Sequence, residues 1–332
     1  MSILFWSLIM IITNILELCS GLALFLYGMN VMGDSLMLIA GERIKYILRR
    51  ISSHRLAAVI FGALVTAVIQ SSSAATVMTV GLVEAGILSL GDSVAIIMGA
   101  NVGTTVTSWL FAAAGVSHNS EWMGLLEPGV IVAVPLLAGV VSVLVSHDQG
   151  RINTGNAIAG FAILIYGMEM MTAAVSPLAG ERWFTSLLTL CGNPLYAVLA
   201  GTFITAVIQS SSASVGILQA LCITGNISYD VAIPVIMGQN IGTCITTMLS
   251  AAGGSVNAKR TAVIHLYFNI IGTVVFMAAW YALKYTPAAG ILPENADAAG
   301  IASVHSIFNL ASVIIMYPFT GWLVKIAQRT VR

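Results

Sequence analysis

The chain has 332 residues, 58% of them hydrophobic and only 8% charged, with 13 basic and 13 acidic side chains and a net charge of zero. A soluble domain carries about a quarter charged residues, so a water-soluble globule is excluded and the membrane class is favoured. The zero balance argues against nucleic acid or an acidic macromolecule as partner.

Crossing a bilayer takes about 20 apolar residues in a helix. In chain order, full spans are predicted over roughly 18–38, 93–114, 128–146, 157–175, 230–252, 261–283 and 301–324. The N-terminus lacks the basic region and cleavage site of a secretory signal and reads as retained membrane helix. Residues 3–17 fit either a further short helix or the start of a long tilted one. Two segments behave differently. Leu56 to Ile69 and Leu195 to Ile208 are 14-residue apolar runs that each stop at Gln-Ser-Ser-Ser before apolar sequence resumes. At about 1.5 Å per residue such a run covers about two-thirds of the hydrocarbon core. Each is predicted to dip in, turn at the serines and return, over about 56–90 and about 195–227. Four scattered cysteines, Cys19, Cys191, Cys222 and Cys244, show no paired spacing and read as small packing residues.

The chain repeats itself at a constant offset of 139 residues. Gly21–Met32 matches Gly160–Met171, and Ala40–Arg43 recurs at Ala179–Arg182. Thr66–Ala74 and Thr205–Ala213 both read TAVIQSSSA, and Ile97–Thr107 matches Ile236–Thr246. The expected organisation is two repeats, 1–150 and 151–332. Three full crossings in the first copy would invert the second relative to it, a pattern of many secondary transporters. Basic residues agree. If the loop after the first span is cytoplasmic, eleven fall inside (Arg43, Lys45, Arg49, Arg50, Arg55, Arg151, Lys259, Arg260, Lys325, Arg329, Arg332) and two outside (Arg182, Lys284). The fold class expected is therefore an all-α polytopic membrane protein of two inverted-topology repeats. Each repeat would carry a re-entrant hairpin and a broken transmembrane helix.

Broken backbone at membrane depth survives only where it lines an enclosed site. The Gln-Ser-Ser-Ser tips supply hydroxyls, an amide and the free N–H groups that begin a half-helix, which suit an anion. Serine oxygens also suit a hard cation. Small residues that merely let helices approach would explain one serine triplet; nine residues repeated at the same topological place favour a site. The second block, G-[AQ]-N-[VI]-G-T-[TC]-[VI]-T, brackets Asn101 and Asn240 with glycines that weaken the helix. Thr104 with Thr107, and Thr243 with Thr246, share a helix face. An unwound turn there would form an oxygen cage for sodium, whereas threonines bonded back along an intact helix are the alternative. His265-x-x-Phe268-Asn269 recurs as His305-x-x-Phe308-Asn309 and reads first as glue between helices. Glu17, Asp34, Glu84 and Glu169 are unduplicated acids, given low weight.

These paired QSSS hairpins, the GANVGTT and GQNIGTC elements and the HxxFN segments resemble the type II sodium/phosphate cotransporters and their bacterial relatives over about residues 18–324. The resemblance implies phosphate held by Gln70, Ser71, Ser72, Ser73, Gln209, Ser210, Ser211 and Ser212, with Asn101 and Asn240 contributing. Sodium would be coordinated by Gln209, Ser210, Asn240, Thr243 and Thr246, with Gln70, Asn101, Thr104 and Thr107 as counterparts. Sodium-coupled phosphate symport by an elevator-like movement is implied, with no catalytic residue and no cofactor beyond Na⁺ as coupling ion. So is residence in the cytoplasmic membrane with the C-terminus inside. A homodimer and a regulatory partner resembling PhoU are the further partners considered. Many bacterial relatives continue into a PhoU-like domain, so a chain ending at Arg332 is expected to be a short member or a trimmed one. Cys244 stands where the other copy has the Thr105 hydroxyl, and no match to the acidic residue of electrogenic animal members is found, so stoichiometry stays open. The competing expectations are phosphate efflux or another oxyanion, a membrane enzyme acting on lipid phosphate through the serines, and a phosphate-sensing scaffold. Nothing near QSSS supplies a general base for the enzyme.

Overall fold

The computed structural model describes residues 2–48, 55–116, 128–175, 177, 190–222, 227–286, 293 and 295–332. Its described elements are helices, apart from one isolated bridge between Ser228 and Asn295. In chain order these are α1 (Ser2–Leu48), α2 (Arg55–Ile69), α3 (Ser72–Glu84), α4 (Leu90–Val116), α5 (Pro128–Val145) and α6 (Gln149–Val175). There follow α7 (Pro194–Ile208), α8 (Ser211–Cys222), α9 (Tyr229–Ala251), α10 (Val256–Lys284), α11 (Ala298–Met316) and, after a 3₁₀ turn at Tyr317–Phe319, α12 (Thr320–Thr330). Residues 3–17 belong to the one long helix α1.

Among the described residues, six helical stretches are long and apolar enough to cross a membrane: Ile12–Ile39, Leu90–Ala113, Gln149–Ala174, Tyr229–Ala251, Val256–Lys284 and Ala298–Thr330. The seventh predicted span, 128–146, is a helix as well, but its apolar stretch Val132–Val145 is shorter than these. Side chains face outward in the way a bilayer demands. Leu56, Ile60, Leu64 and Val68 form an exposed stripe along α2, and their counterparts 139 residues on, Leu195, Leu199, Phe203 and Val207, do the same on α7. Exposed apolar faces of this length would be a liability in water and are at home in lipid.

Glycine decides how the helices meet. The first helices of the two copies, α1 and α6, cross antiparallel with Gly21 against Gly167 and Gly28 against Gly160. A Cβ added at Gly21 would come within 2.9 Å of the Gly167 carbonyl oxygen. In the first copy α2 lies on α4, where a Cβ on Gly99 or Gly103 would overlap the carbonyl oxygens of Val59 and Ala63. The second copy repeats this between α7 and α9, with Gly238 against Val198 and Gly242 against Thr202. Close backbone approach through small residues replaces the hydrophobic driving force that lipid cannot supply.

This overturns one expectation. The Gly-x-Asn-x-Gly stretches were predicted to break their helices, yet α4 and α9 run unbroken through Gly99–Gly103 and Gly238–Gly242. The glycines are there because a neighbouring backbone occupies the space of a side chain, not because the helix unwinds. Arg49, Arg50, Glu121, Glu127, Arg182 and Glu294, with the Ala179–Arg182 block, lie outside the described residues.

Gly99→Val is expected to lower the melting temperature of the detergent-solubilised protein, since overpacking of this kind costs about 1–3 kcal/mol. Gly81→Ala, where an added Cβ meets nothing within 4 Å, is expected to be neutral or stabilising by up to about 1 kcal/mol. Equal melting temperatures for the two variants would contradict the packing argument.

Candidate functional site

Helix α2 ends at Ile69 because the next residue turns left-handed. Gln70 has φ 58°, and Gln209, after α7, has φ 58° as well; among the described residues they are the non-glycine positions with positive φ. That conformation costs an L-residue roughly 1–2 kcal/mol, and it recurs at the same step of both copies. A serine then caps the next helix. Ser71 Oγ accepts the Ala74 N–H at 3.1 Å, and Ser210 Oγ accepts the Ala213 N–H at 3.2 Å. Helices α3 and α8 thus begin at the breaks, with their first N–H groups lacking partners within the helix and the positive ends of their dipoles pointing out.

The two breaks face each other. Ser72 Oγ and Ser211 Oγ, counterparts in the repeat, lie 3.4 Å apart, and Ser73 Oγ donates to the Gln209 carbonyl oxygen at 3.5 Å. Around them is a cavity of about 310 Å³ lined by Gln70, Ser71, Ser72, Ser73, Gln209, Ser210, Ser211 and Ser212. Every Gln-Ser-Ser-Ser residue singled out from the sequence therefore meets in one space. The opposite wall is a stripe of α1 including Met29, Asn30, Gly33 and Asp34, which sequence reasoning did not place at the site, Asp34 having been given low weight. These positions recur at helical spacing, which could have marked a common face. Ser210 Oγ touches that wall at Met29 Sδ, 3.8 Å away. Among the described residues, Asp34 apart, no charged side chain and no histidine lines the cavity.

The residues of the second motif stand behind this space. Thr107 Oγ1 donates to Gln70 Oε1 at 2.8 Å, while Gln70 Nε2 donates to the Ala67 carbonyl, so Gln70 is buried and held at both ends. Thr104 and Thr243 donate to the carbonyls of Ala100 and Gln239 at 2.9 Å, and Asn240 Nδ2 donates to Ile236 at 3.0 Å. These are bonds back along intact helices, not an open oxygen cage. Asn101 Nδ2 and Thr246 Oγ1 are buried without a partner. Gln209, unlike Gln70, is exposed in the cavity wall. Identical motifs are thus in two states: Thr107 holds Gln70, whereas Thr246 holds nothing.

The histidine segments connect helices. Thr76 Oγ1 meets Thr247 Oγ1 at 2.9 Å, which meets His265 Nδ1 at 3.1 Å, joining α3, α9 and α10. Ser108 Oγ meets His305 Nδ1 at 2.7 Å, joining α4 to α11. Cys244 Sγ sits by Asn269 Nδ2 at 3.3 Å, away from the cavity. Glu84 accepts the Ser255 N–H at 2.7 Å, also away from it.

Removing the Thr107 hydroxyl strands a buried acceptor, which costs about 1–3 kcal/mol. Thr107→Val is therefore expected to lower thermal stability, and Thr246→Val, which deletes an unpaired hydroxyl, to leave it unchanged or raise it. Equal losses in both variants would show the two copies to be alike at this position.

A protein-family model described as Na⁺/Pi-cotransporter matches the chain twice, over residues 24–173 and 163–291. Among curated proteins, YqeW of Bacillus subtilis is 29% identical over 90% of this chain and 92% of its own length. The Escherichia coli protein named "Putative inorganic phosphate export protein YjbB" is 25% identical over 96% of this chain, which spans 56% of that relative. Sodium-dependent phosphate transport protein 2A of sheep is 23% identical over 80% of this chain and 60% of its own length. No solved structure matches the chain. The double match takes in both Gln-Ser-Ser-Ser breaks, and on it the chain belongs to the Na⁺/Pi-cotransporter family of multi-pass membrane transporters.

Proposed function

We propose that the protein is a secondary carrier that couples inorganic phosphate to sodium. The observation that carries this reading is the single cavity faced by two serine-capped helix N-termini. Hydroxyls, amides and free backbone N–H groups, donated by Gln70, Ser71–Ser73, Gln209 and Ser210–Ser212, are the chemistry that holds an oxyanion without a lysine or arginine. The threonines and asparagines behind the tips, Asn101, Thr104 and Thr107 with Asn240, Thr243 and Thr246, are the proposed sodium ligands together with Gln70, Gln209 and Ser210. The unpartnered Thr246 Oγ1 gives this a foothold, because buried polar atoms are rarely left unsatisfied and a hydroxyl oxygen suits a hard cation.

The proposed architecture is two inverted repeats, 1–150 and 151–332, whose α2–α3 and α7–α8 pairs enter and leave the membrane on one face each. The antiparallel crossing of α1 and α6 through equivalent glycines supports it. So does the grouping of the ends. Ser255 and Arg260, at one end of α10, meet Glu84 and the Val331 carbonyl, whereas Lys284, at the other, pairs with Asp230 at 2.8 Å. We place the basic end and the C-terminus in the cytoplasm, following the excess of lysine and arginine there. Alternating access then consists of the two copies exchanging the held and released states of their glutamines.

A second reading, phosphate export, is supported by the printed name of the relative YjbB. A carrier of this kind runs in the direction its gradients dictate, so both readings share one site. The purified protein in liposomes is expected to accumulate labelled phosphate under an inward sodium gradient. Accumulation indifferent to sodium would sink the coupling, and none under any gradient would sink phosphate as substrate. Gln209→Ala is expected to weaken sodium-dependent phosphate binding by about tenfold or more.

A further inference from the structure

The cavity presents a chemical contradiction if its occupant is an anion. Among the described residues its lining offers donors on one side and, on the other, the carboxylate of Asp34 as the charged group. Among the described residues no lysine, arginine or histidine lines the cavity to neutralise it, and Asp34 makes no hydrogen bond or ion pair. Its position in the repeat is Ala173 in the second copy, so the acid is present once. An exposed carboxylate with no partner in the fold, standing in the wall of this cavity, is free to meet what enters.

An ionised carboxylate is an acceptor only. It repels an oxyanion with no proton to offer, and it accepts a strong, charge-assisted hydrogen bond from one that carries an O–H. At neutral pH inorganic phosphate keeps at least one O–H, whereas sulfate, of the same shape, has none. The geometry points to Asp34 as the specificity-determining residue of this cavity: it accepts the proton-bearing oxygen of phosphate and rejects fully deprotonated tetrahedral oxyanions. This inference rests on the phosphate reading above and deepens it. Discrimination here comes from an unfavourable encounter built against the competitor as much as from a contact made with the substrate. The serine tips and helix N-termini would hold either anion, so selectivity is assigned to the α1 wall and affinity to the breaks.

The test is competition between sulfate and labelled phosphate for the purified full chain in sodium-containing buffer at pH 7. Wild type is expected to bind phosphate and ignore a large excess of sulfate. In Asp34→Asn and Asp34→Ala the affinity ratio of phosphate to sulfate is expected to fall by about ten- to a hundredfold. Asp34→Glu, which keeps the acceptor, should retain rejection. Wild type that binds no phosphate overturns the functional reading and the filter with it, whereas the outcomes that follow overturn the filter alone. Wild type that binds both anions alike overturns the filter, and so does an unchanged ratio in either neutral variant. A monodisperse neutral variant that binds neither anion overturns it as well. Sulfate rejection kept intact while the sodium concentration for half-saturation rises would make Asp34 a cation ligand and overturn it too.

Discussion

A helix that stops short uncovers backbone carbonyl and N–H groups that must find partners, and the breaks at Gln70 and Gln209 are built around that constraint. The left-handed residue lets the chain reverse while its own N–H still closes onto the preceding helix, Gln70 to Thr66 at 2.8 Å and Gln209 to Thr205 at 2.7 Å. The serine that follows satisfies one N–H of the next helix with its own oxygen. What remains unsatisfied faces a single polar cavity between the two breaks, where water or a ligand can meet it. The site is the place where the backbone could not otherwise have been broken.

Holding two such breaks tip to tip requires rigid supports, and glycine supplies them. The backbones of α2 and α4, and of α7 and α9, approach so closely that a methyl group at Gly99 or Gly238 would occupy a neighbouring carbonyl. Each hairpin's first helix is thereby fixed to a long helix of its own copy. The second helices reach across: α3 meets α9 through Thr76 and Thr247, and α8 meets α4 through Gln219 Nε2 and the Ser108 carbonyl at 3.0 Å. Each hairpin's first helix is anchored in one copy and its second packs against the other.

Much of this could be read from the sequence because duplication amplifies signal. Nine identical residues 139 apart marked the breaks, and an apolar run too short to cross a membrane told that they were turns. The same reasoning misread Gly99 and Gly238. Glycine both weakens a helix and permits close packing, and a linear sequence does not say whether another backbone lies alongside. Asp34 escaped for the opposite reason. The cavity is lined by α1 and not by its counterpart α6, so its wall is an unduplicated face, and weighting by repetition discounted the residue that the geometry brings to the serines.

That one-sidedness and the two states of the glutamines belong together. The copies share TAVIQSSSA and the threonine that follows on the long helix, yet Gln70 is buried under Thr107 while Gln209 is exposed in the cavity wall and Thr246 Oγ1 is unpartnered. The motif itself therefore does not choose between the states. The choice lies in how each copy meets its surroundings, where residues differ: Asn30 and Asp34 against Glu169 and Ala173, Thr105 against Cys244, Ala100 against Gln239. Two arrangements available to one local sequence differ in energy only by such neighbours, and a ligand that contacts both tips can shift the balance by its difference in affinity for the two.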